Sequence, residues 1–406
     1  MSNSITNIKE IRKLVIKGFA WQYIPISISM LSESVVENVS SLKIAISIYN
    51  IFAFFSYIYG YSVLANATNK YAQYKGYRNY LYLYSILNHL GLPILFLLKS
   101  RNSNNKVAKE PLEEFNFLYL FTGWLAVSFL STSFLALIAL WIRGSEGLLE
   151  YIRSDRDFST ISSIFTTILY SWYLILEFKR SNLNYKHIFG SFKKIDFKLP
   201  LGLAITKYIF VRGINPPILY SLSFIFPQYV EYLANKEYAT TVIGWLCFAI
   251  SALLLAPIIE ELIFRGLILQ KVAVKNNINI GLLISAIIFT LMHFRFDVVS
   301  LFVAGVLYGI LYLKTKQLAA PILCHFFYNL IVVARRIYNY FFSSVNHDAK
   351  ITVIEYQQQF LEDWKWCVLF FALSAPYLCY FIYKNYPRNY SIEKLPYYAN
   401  QRQSNN

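Results

Sequence analysis

Long apolar runs separated by short polar segments recur along this chain. A helix that crosses a bilayer needs about 20 such residues. Strands of a membrane barrel would instead alternate polar and apolar positions, and these runs do not. The pattern therefore predicts an all-α, polytopic transmembrane bundle of about ten spanning helices, at residues 44–66, 79–98, 116–142, 159–177, 201–227, 241–270, 278–294, 298–313, 318–333 and 364–383.

The segments between and beyond these runs suggest how the chain is divided. Basic residues precede the mixed segment 18–31, which predicts a helix in the membrane interface, with a short spanning helix as the alternative. The polar tail after Asn385 is expected to be disordered. The basic loop 179–198 separates two halves of the chain. We expect an N-terminal transmembrane region, a second membrane domain, and a C-terminal part with an extramembrane loop, the last helix and the tail, at residues 1–198, 199–340 and 341–406.

Prolines interrupt two of the predicted helices. Pro216 and Pro217 are expected to end the helix that begins near residue 201, because proline lacks the backbone donor and clashes with the preceding turn. Pro257, one turn before Glu260, leaves two alternatives open, namely a kink in the helix or an ordinary proline that a membrane helix tolerates.

Composition and charge support a membrane protein. Hydrophobic residues make up 56% of the sequence and charged residues 15%, whereas a soluble domain has about a quarter charged residues. The net charge of +16 accompanies no basic cluster in a soluble domain, so we expect a lipid bilayer and not nucleic acid as the partner. Lysine and arginine concentrate in alternate loops, which predicts that both termini are cytoplasmic.

Three charged side chains lie within the apolar run 242–269. Glu260, Glu261 and Arg265 each cost at least a few kcal/mol at bilayer depth, so they mark a functional site. Glu261 and Arg265 are four residues apart and share one helix face, which predicts an ion pair. Glu260 points about 100° away from Glu261 and needs another partner.

Two further motifs can supply that partner. Phe289 and His293 share a helix face, as do His325 and Asn329, because each pair is spaced by four residues. Measured from a turn near residue 276, Glu260 and His293 both lie about 25 Å along their helices. They are therefore expected at one depth.

Two other cations fall in a predicted span. Lys207 is expected to extend its ammonium towards the membrane surface, and Arg212 to pair within the bundle.

The order and spacing of Glu260-Glu261-x-x-x-Arg265, Phe289-x-x-x-His293 and His325-x-x-x-Asn329 resemble the CPBP family of intramembrane proteases, which includes type II CAAX prenyl endopeptidases and bacterial Abi proteins. The resemblance covers residues 199–333. It implies that the domain 199–340 is catalytic and that the chain is a multi-pass protein of a bacterial cell membrane.

The resemblance also implies roles for the motif residues. Glu260 and His293 would activate a water molecule, and His325 and Asn329 would hold the oxyanion. Glu261, Arg265 and Phe289 would support them. The substrate would be a membrane-associated protein or peptide.

The residues leave three alternatives open. Glu260, His293 and His325 could bind zinc, although HExxH is missing and we favour hydrolysis without a cofactor. The same buried groups could relay protons in a transporter, although no internal repeat is visible. A catalytically idle immunity or scaffold protein could carry the same motifs.

Overall fold

The computed structural model describes residues 8–35, 40–74, 112, 115, 117–143, 155–191, 196–342, 350–388 and 391–405. In these ranges all regular elements are helical: α1 (Ile8–Val35), α2 (Ser40–Tyr74), α3 (Phe117–Arg143), α4 (Arg156–Arg180), α5 (Tyr185–Phe189), α6 (Lys198–Ser223), α7 (Pro227–Ala234), α8 (Val242–Lys275), α9 (Ile278–Leu291), α10 (Val298–Thr315), α11 (Ala319–Phe342), α12 (Val353–Asn385), a 3-10 turn (Ile392–Lys394) and α13 (Pro396–Asn405).

Six helices in the described ranges are long and apolar enough to cross a bilayer, namely α4, α8, α10, α11, α12 and the part Gly123–Trp141 of α3. Helix α9 is apolar but shorter, with 14 residues. The predicted polytopic helical bundle is confirmed. The expected number of about ten is not, because the span 79–98 lies outside the described residues and α2 and α6 are not among the six.

The chain divides into two compact units. The first comprises residues 1–108 and 118–127, where α1 packs along α2. The second comprises residues 109–117 and 128–406 and contains all the motif residues. The domain boundary expected at residue 198 stays a prediction.

Helices α8, α9 and α10 form the centre of the second unit. Their facing side chains are apolar and fully or almost fully buried, including Leu267, Leu282, Ala286 and Leu307. Gly305 lets α10 approach α9 closely, since a Cβ there would lie 2.8 Å from the Cα of Ala286. Helix α11 packs against α10, and α6 packs against both α11 and α12. This packing fixes the depth of each motif.

Helix α8 departs from regular α-helical geometry at two places. Two π-helical stretches, Ser251–Leu255 and Leu262–Leu269, flank the short α-helical segment Ala256–Glu261. Such stretches pair residue i with i+5 and often occur at functional sites. Pro257 lies two residues after the end of the first stretch, and its missing N–H is a physical cause of irregular hydrogen bonding there. Glu260 and Glu261 thus lie between two widened turns.

Helix α6 continues through Pro216 and Pro217, so the predicted break is wrong. Neighbouring helices allow a membrane helix to tolerate proline, because they restrain it and meet its free backbone groups. Helix α12 packs along α6 here, and the Tyr356 hydroxyl donates to the carbonyl of Pro216 at 3.4 Å.

The segment 391–405 is folded, which differs from the disorder expected of its polar composition. Leu395, Tyr397 and Ala399 are buried, and α13 packs against α5. Composition alone hid this contact, because its apolar side chains are few and its partner helix has only five residues.

Candidate active site

A buried ion pair stands at the start of the second π-helical stretch of α8. Nη1 of Arg265 lies 3.1 Å from Oε1 and 3.0 Å from Oε2 of Glu261, and both residues are 0% exposed. The structure therefore contains the pair that the i,i+4 spacing predicts. His325 of α11 joins it, since its Nδ1 lies 2.9 Å from Oε1 of Glu261. Because a carboxylate accepts only, we assign a proton to this Nδ1.

Aromatic rings surround the Arg265 guanidinium. Its Cζ lies 4.4 Å from the ring centroid of Phe289 and 5.2 Å from that of Tyr308. Its Nη2 donates to the carbonyl of Gly305 at 3.3 Å. Ring faces carry partial negative charge and attract such a cation. Phe289 is thus a neighbour of the ion pair as well as the residue one turn before His293.

Glu260 faces His293 of the segment that follows α9. Oε2 of Glu260 lies 3.8 Å from Nε2 of His293, and the two side chains are 28% and 24% exposed. Nδ1 of His293 lies 2.7 Å from the carbonyl of Phe289, so we assign it the proton. In a neutral ring Nε2 is then the acceptor. The two motifs expected at one depth are brought together.

Asn329 has a hydrogen-bond partner outside these two pairs. Its Nδ2 donates to the carbonyl of Ala252 at 2.7 Å, in the first π-helical stretch. No hydrogen bond joins it to His325 in the described part of the chain. The sequence motif places both residues on α11, but their described contacts differ.

Two polar residues that sequence analysis did not select hold the second π-helical stretch. Ser285 of α9 donates from Oγ to the carbonyl of Phe264 at 2.7 Å, and Gln270 donates from Nε2 to the carbonyl of Gly266 at 2.7 Å. A widened helix leaves carbonyls that need such partners. The signal in the sequence that could have identified these two residues was the position of a polar side chain within an apolar run.

Lys207 is buried, so the expectation that it reaches the membrane surface is wrong. Its Nζ donates to the Tyr308 hydroxyl at 2.7 Å and lies 3.5 Å from the ring centroid of Tyr328. The Tyr308 ring stacks on His325 with centroids 5.2 Å apart. These aromatic partners offset the cost of burying the ammonium. Arg212 is exposed, unlike the buried partner that was expected.

The alternative zinc ligands fall into two separate pairs. His293 faces Glu260, whereas the Nδ1 of His325 is bonded to Glu261. Among the described residues, no group of three His, Cys, Asp or Glu side chains is arranged to hold a metal ion. The requirement for metal stays a question for experiment.

Comparisons with known proteins identify part of this region. Residues 242–331 match the family model "Type II CAAX prenyl endopeptidase Rce1-like". The match runs from α8 into α11 and includes both carboxylates, both histidines and Asn329. The family predicted from the three motifs is thereby confirmed for this region.

Two curated bacterial proteins are similar to the chain. It is 36% identical over 81 residues to the "Putative membrane peptidase YdiL" of Bacillus subtilis (strain 168), which covers 20% of this chain and 33% of that protein. It is 32% identical over 93 residues to the "Membrane-embedded CAAX protease MroQ" of Staphylococcus aureus (strain USA300), covering 21% and 38%. The alignments therefore span about a third of each relative. No solved structure gives a significant match.

Proposed function

We propose that this chain, which carries an Rce1-like domain at residues 242–331, is an intramembrane endopeptidase that cleaves a membrane-associated protein or peptide. The observation that carries the proposal is the pair formed by Glu260 and His293. Both side chains are partly exposed, they face each other at 3.8 Å, and they lie beside a buried charged cluster. A carboxylate and an imidazole in this relation can activate water.

The separation of the pair suits a shared water molecule. A water lying to one side of the line between Oε2 and Nε2 can be about 2.8 Å from both atoms. His293 would accept one of its hydrogen bonds and orient it, because the Phe289 carbonyl holds the proton on Nδ1. Glu260 would accept the other and act as the general base.

The proposed hydrolysis then uses only the protein, its substrate and one water molecule. Glu260 takes a proton from the water as the oxygen attacks the scissile carbonyl carbon, and the carbonyl oxygen becomes an oxyanion. When the intermediate collapses, the protonated Glu260 gives that proton to the leaving nitrogen. The peptide bond breaks, and the base is regenerated.

His325 and Asn329 are the proposed oxyanion donors. His325 can donate through Nε2 when both ring nitrogens carry protons, and Glu261 fixes the ring through Nδ1. Asn329 has a second amide proton besides the one that it donates to Ala252. Arg265 would support this arrangement by holding Glu261.

Substituting either donor is expected to slow the chemical step. His325→Ala and Asn329→Ala should each lower kcat by roughly 10²- to 10³-fold, because an oxyanion-hole donor acts mainly in the transition state. KM should change little. Steady-state kinetics on a cleaved substrate checks this, with the exposed Asn339→Ala on the same helix as the matched control. A loss below tenfold would assign the residue to packing.

Hydrolysis is expected to survive metal removal. Detergent-solubilised protein treated with a strong chelator should keep its rate, and metal analysis should find well under one equivalent of zinc. Zinc bound stoichiometrically, with activity lost on its removal and restored on its return, would contradict the glutamate mechanism.

The proposed location is a bacterial cell membrane with both termini in the cytoplasm. The segment 181–191 and the turns at residues 276–277 and 316–318 lie beside the segments 386–388 and 391–405. The hydrogen bonds of Asn400 with His187 and Lys316 and of Tyr386 with Asn279 join them. By sequence, the alternate loops that include these segments carry the larger share of loop lysines and arginines. Such residues favour the cytoplasmic side.

A comparison of membrane proteomes tests the function directly. Cells that express the wild-type chain should contain a cleaved membrane protein whose intact form accumulates in cells expressing Glu260→Gln. The exposed Glu237→Gln is the matched control and should behave as wild type. Identical proteomes in all three strains, at equal protein abundance, would favour an idle scaffold.

A further inference from the structure

Gln270 joins three elements on the face of the bundle where α8 ends. The side chain is 0% exposed. Its Nε2 donates to the carbonyl of Gly266 at 2.7 Å and to the Tyr312 hydroxyl at 3.1 Å, and its Oε1 accepts from the backbone N–H of Tyr397 at 2.8 Å. All donors of the amide are used, and its oxygen has a partner. It therefore links α8, α10 and α13 in one arrangement.

The π-helical stretch explains why Gln270 reaches α10. In a π-helical stretch the hydrogen bonds join residues i and i+5, so each turn contains one residue more than a turn of α-helix. Gln270, five residues after Arg265, therefore lies one turn further along the same face. In a regular α-helix the residue four positions after Arg265 would lie there. On α10, Tyr308 and Tyr312 are one regular turn apart. Arg265 contacts the Tyr308 ring, and Gln270 bonds to Tyr312. Arg265 and Gln270 can therefore contact successive turns of α10 only while residues 262–269 remain π-helical.

Helix α5 packs against the contact between Gln270 and Tyr312. The Tyr312 hydroxyl donates to the carbonyl of Ile188 at 2.7 Å. Ile188 also packs on Gly266, where a Cβ would lie 2.7 Å from its Cγ2. Phe189 accepts from the backbone N–H of Leu318 at 3.0 Å, which ties α5 to the turn before α11. The carbonyl that Gln270 holds is therefore enclosed by packed residues.

The C-terminal segment completes the enclosure. Nδ2 of Asn400 donates to the carbonyls of His187 and Lys316 at 2.9 and 3.0 Å. The His187 and Tyr397 rings meet edge to face with centroids 5.3 Å apart. Burial lowers the pKa of His187 below its usual value, so this ring is neutral at pH 7. Because these contacts hold α13 in place, they position the backbone N–H of Tyr397 so that it donates to Gln270.

We propose that Gln270 is a positioning residue for hydrolysis, which transmits docking of the C-terminal segment to the widened stretch that begins directly after Glu261 and contains Arg265. Without the Tyr397 donor, the Gln270 amide, which donates to the Gly266 carbonyl, loses one of its three hydrogen bonds. A return of residues 262–269 to regular helix would rotate Glu260 and Glu261 relative to the two histidines. The inference rests on the proposed function, since it concerns the same site.

Two variants remove the link from opposite ends. Gln270→Met keeps the side-chain length but removes the amide. Tyr397→Pro removes the backbone donor within the first turn of α13, where proline is tolerated, and also removes the ring that contacts His187. Their matched controls are Gln359→Met on an exposed face of α12 and Tyr398→Pro, one residue further along α13.

Hydrogen exchange tests the link without a substrate. It is measured on full-length protein carrying Glu260→Gln, over peptides that cover residues 262–275. Exchange should be about tenfold faster with Gln270→Met or Tyr397→Pro, as expected for one lost buried hydrogen bond, and unchanged in the controls. Equal exchange in variants and controls would overturn the proposal. If Gln270→Met does not fold, Tyr397→Pro decides.

Steady-state kinetics, measured on protein that keeps the wild-type Glu260, then tests the effect of these variants on the reaction. Gln270→Met and Tyr397→Pro should lower kcat about tenfold with KM within about twofold of wild type, because they displace the reacting groups and leave substrate contacts intact. Wild-type kcat in both would overturn the positioning role. A catalytically active Glu260→Gln protein would instead overturn the proposed function and leave the exchange result unaffected.

Discussion

Replacing Glu260 by glutamine is expected to abolish hydrolysis while leaving the amount of folded protein unchanged. Glutamine has nearly the same shape but cannot take a proton from water. General acid–base catalysis typically contributes about 10²- to 10⁴-fold, so the residual single-turnover rate should be about 10³-fold or more below wild type. Glu260 is partly exposed and the described part of the chain shows no arginine bonded to it, so the change strands no buried charge.

Two further variants are needed to interpret this result. His293→Ala should cause a comparable loss, because the water would lose its second partner. Glu237→Gln should keep the wild-type rate, which shows that the exchange of glutamate for glutamine is harmless at an exposed position. Membrane yield and thermal unfolding report folding separately from rate. Turnover by Glu260→Gln at the wild-type rate would exclude Glu260 as the general base.

Helical periodicity was sufficient to predict the pairing of charges within one helix. The spacing of four residues between Glu261 and Arg265 depends on local geometry alone, and the structure contains the ion pair. The approach of Glu260 to His293 was predicted from equal helix lengths on either side of one turn. This argument holds because α8 and α9 are joined directly and pack along each other.

Helical periodicity could not predict the contacts between helices that are distant in the sequence. The stacking of His325 on Tyr308 and the burial of Lys207 depend on which faces of α6, α10 and α11 meet, and periodicity does not determine this. A lone lysine in an apolar run is compatible with extension towards water or with an aromatic pocket. Only the packed neighbours Tyr308 and Tyr328 distinguish the two.

The two π-helical stretches explain why the polar positions around the site could not be assigned from spacing. Sequence analysis assumed regular helix throughout and considered only a kink or a tolerated proline at Pro257. The structure instead places widened turns on both sides of Glu260, and Asn329, Ser285 and Gln270 each donate to a carbonyl within them. The shared helix face of His325 and Asn329 was predicted from their spacing, but spacing does not reveal that Asn329 has a backbone partner on another helix.

Removing either member of the Glu261–Arg265 pair is expected to destabilise the fold and to abolish hydrolysis. Each side chain is fully buried, so Glu261→Ala or Arg265→Ala leaves an uncompensated charge, at a cost of about 3–5 kcal/mol. Both variants should show lower membrane abundance and a lower unfolding temperature. Glu260→Gln should show neither change, which separates the two adjacent carboxylates by their folding phenotype.

Replacing both members together is expected to restore part of the lost stability. Glu261→Leu combined with Arg265→Met fills the same volume without a charge, so the double variant should be more abundant than either single variant. Recovery should be incomplete, because Nδ1 of His325 and the carbonyl of Gly305 lose their partners, at about 1–3 kcal/mol for an unsatisfied buried group. The double variant should remain inactive for the same reason, since His325 is no longer oriented. If its destabilisation instead equals the sum of the two single changes, the charges do not compensate one another, and Arg265 must act on Glu260 or on the substrate.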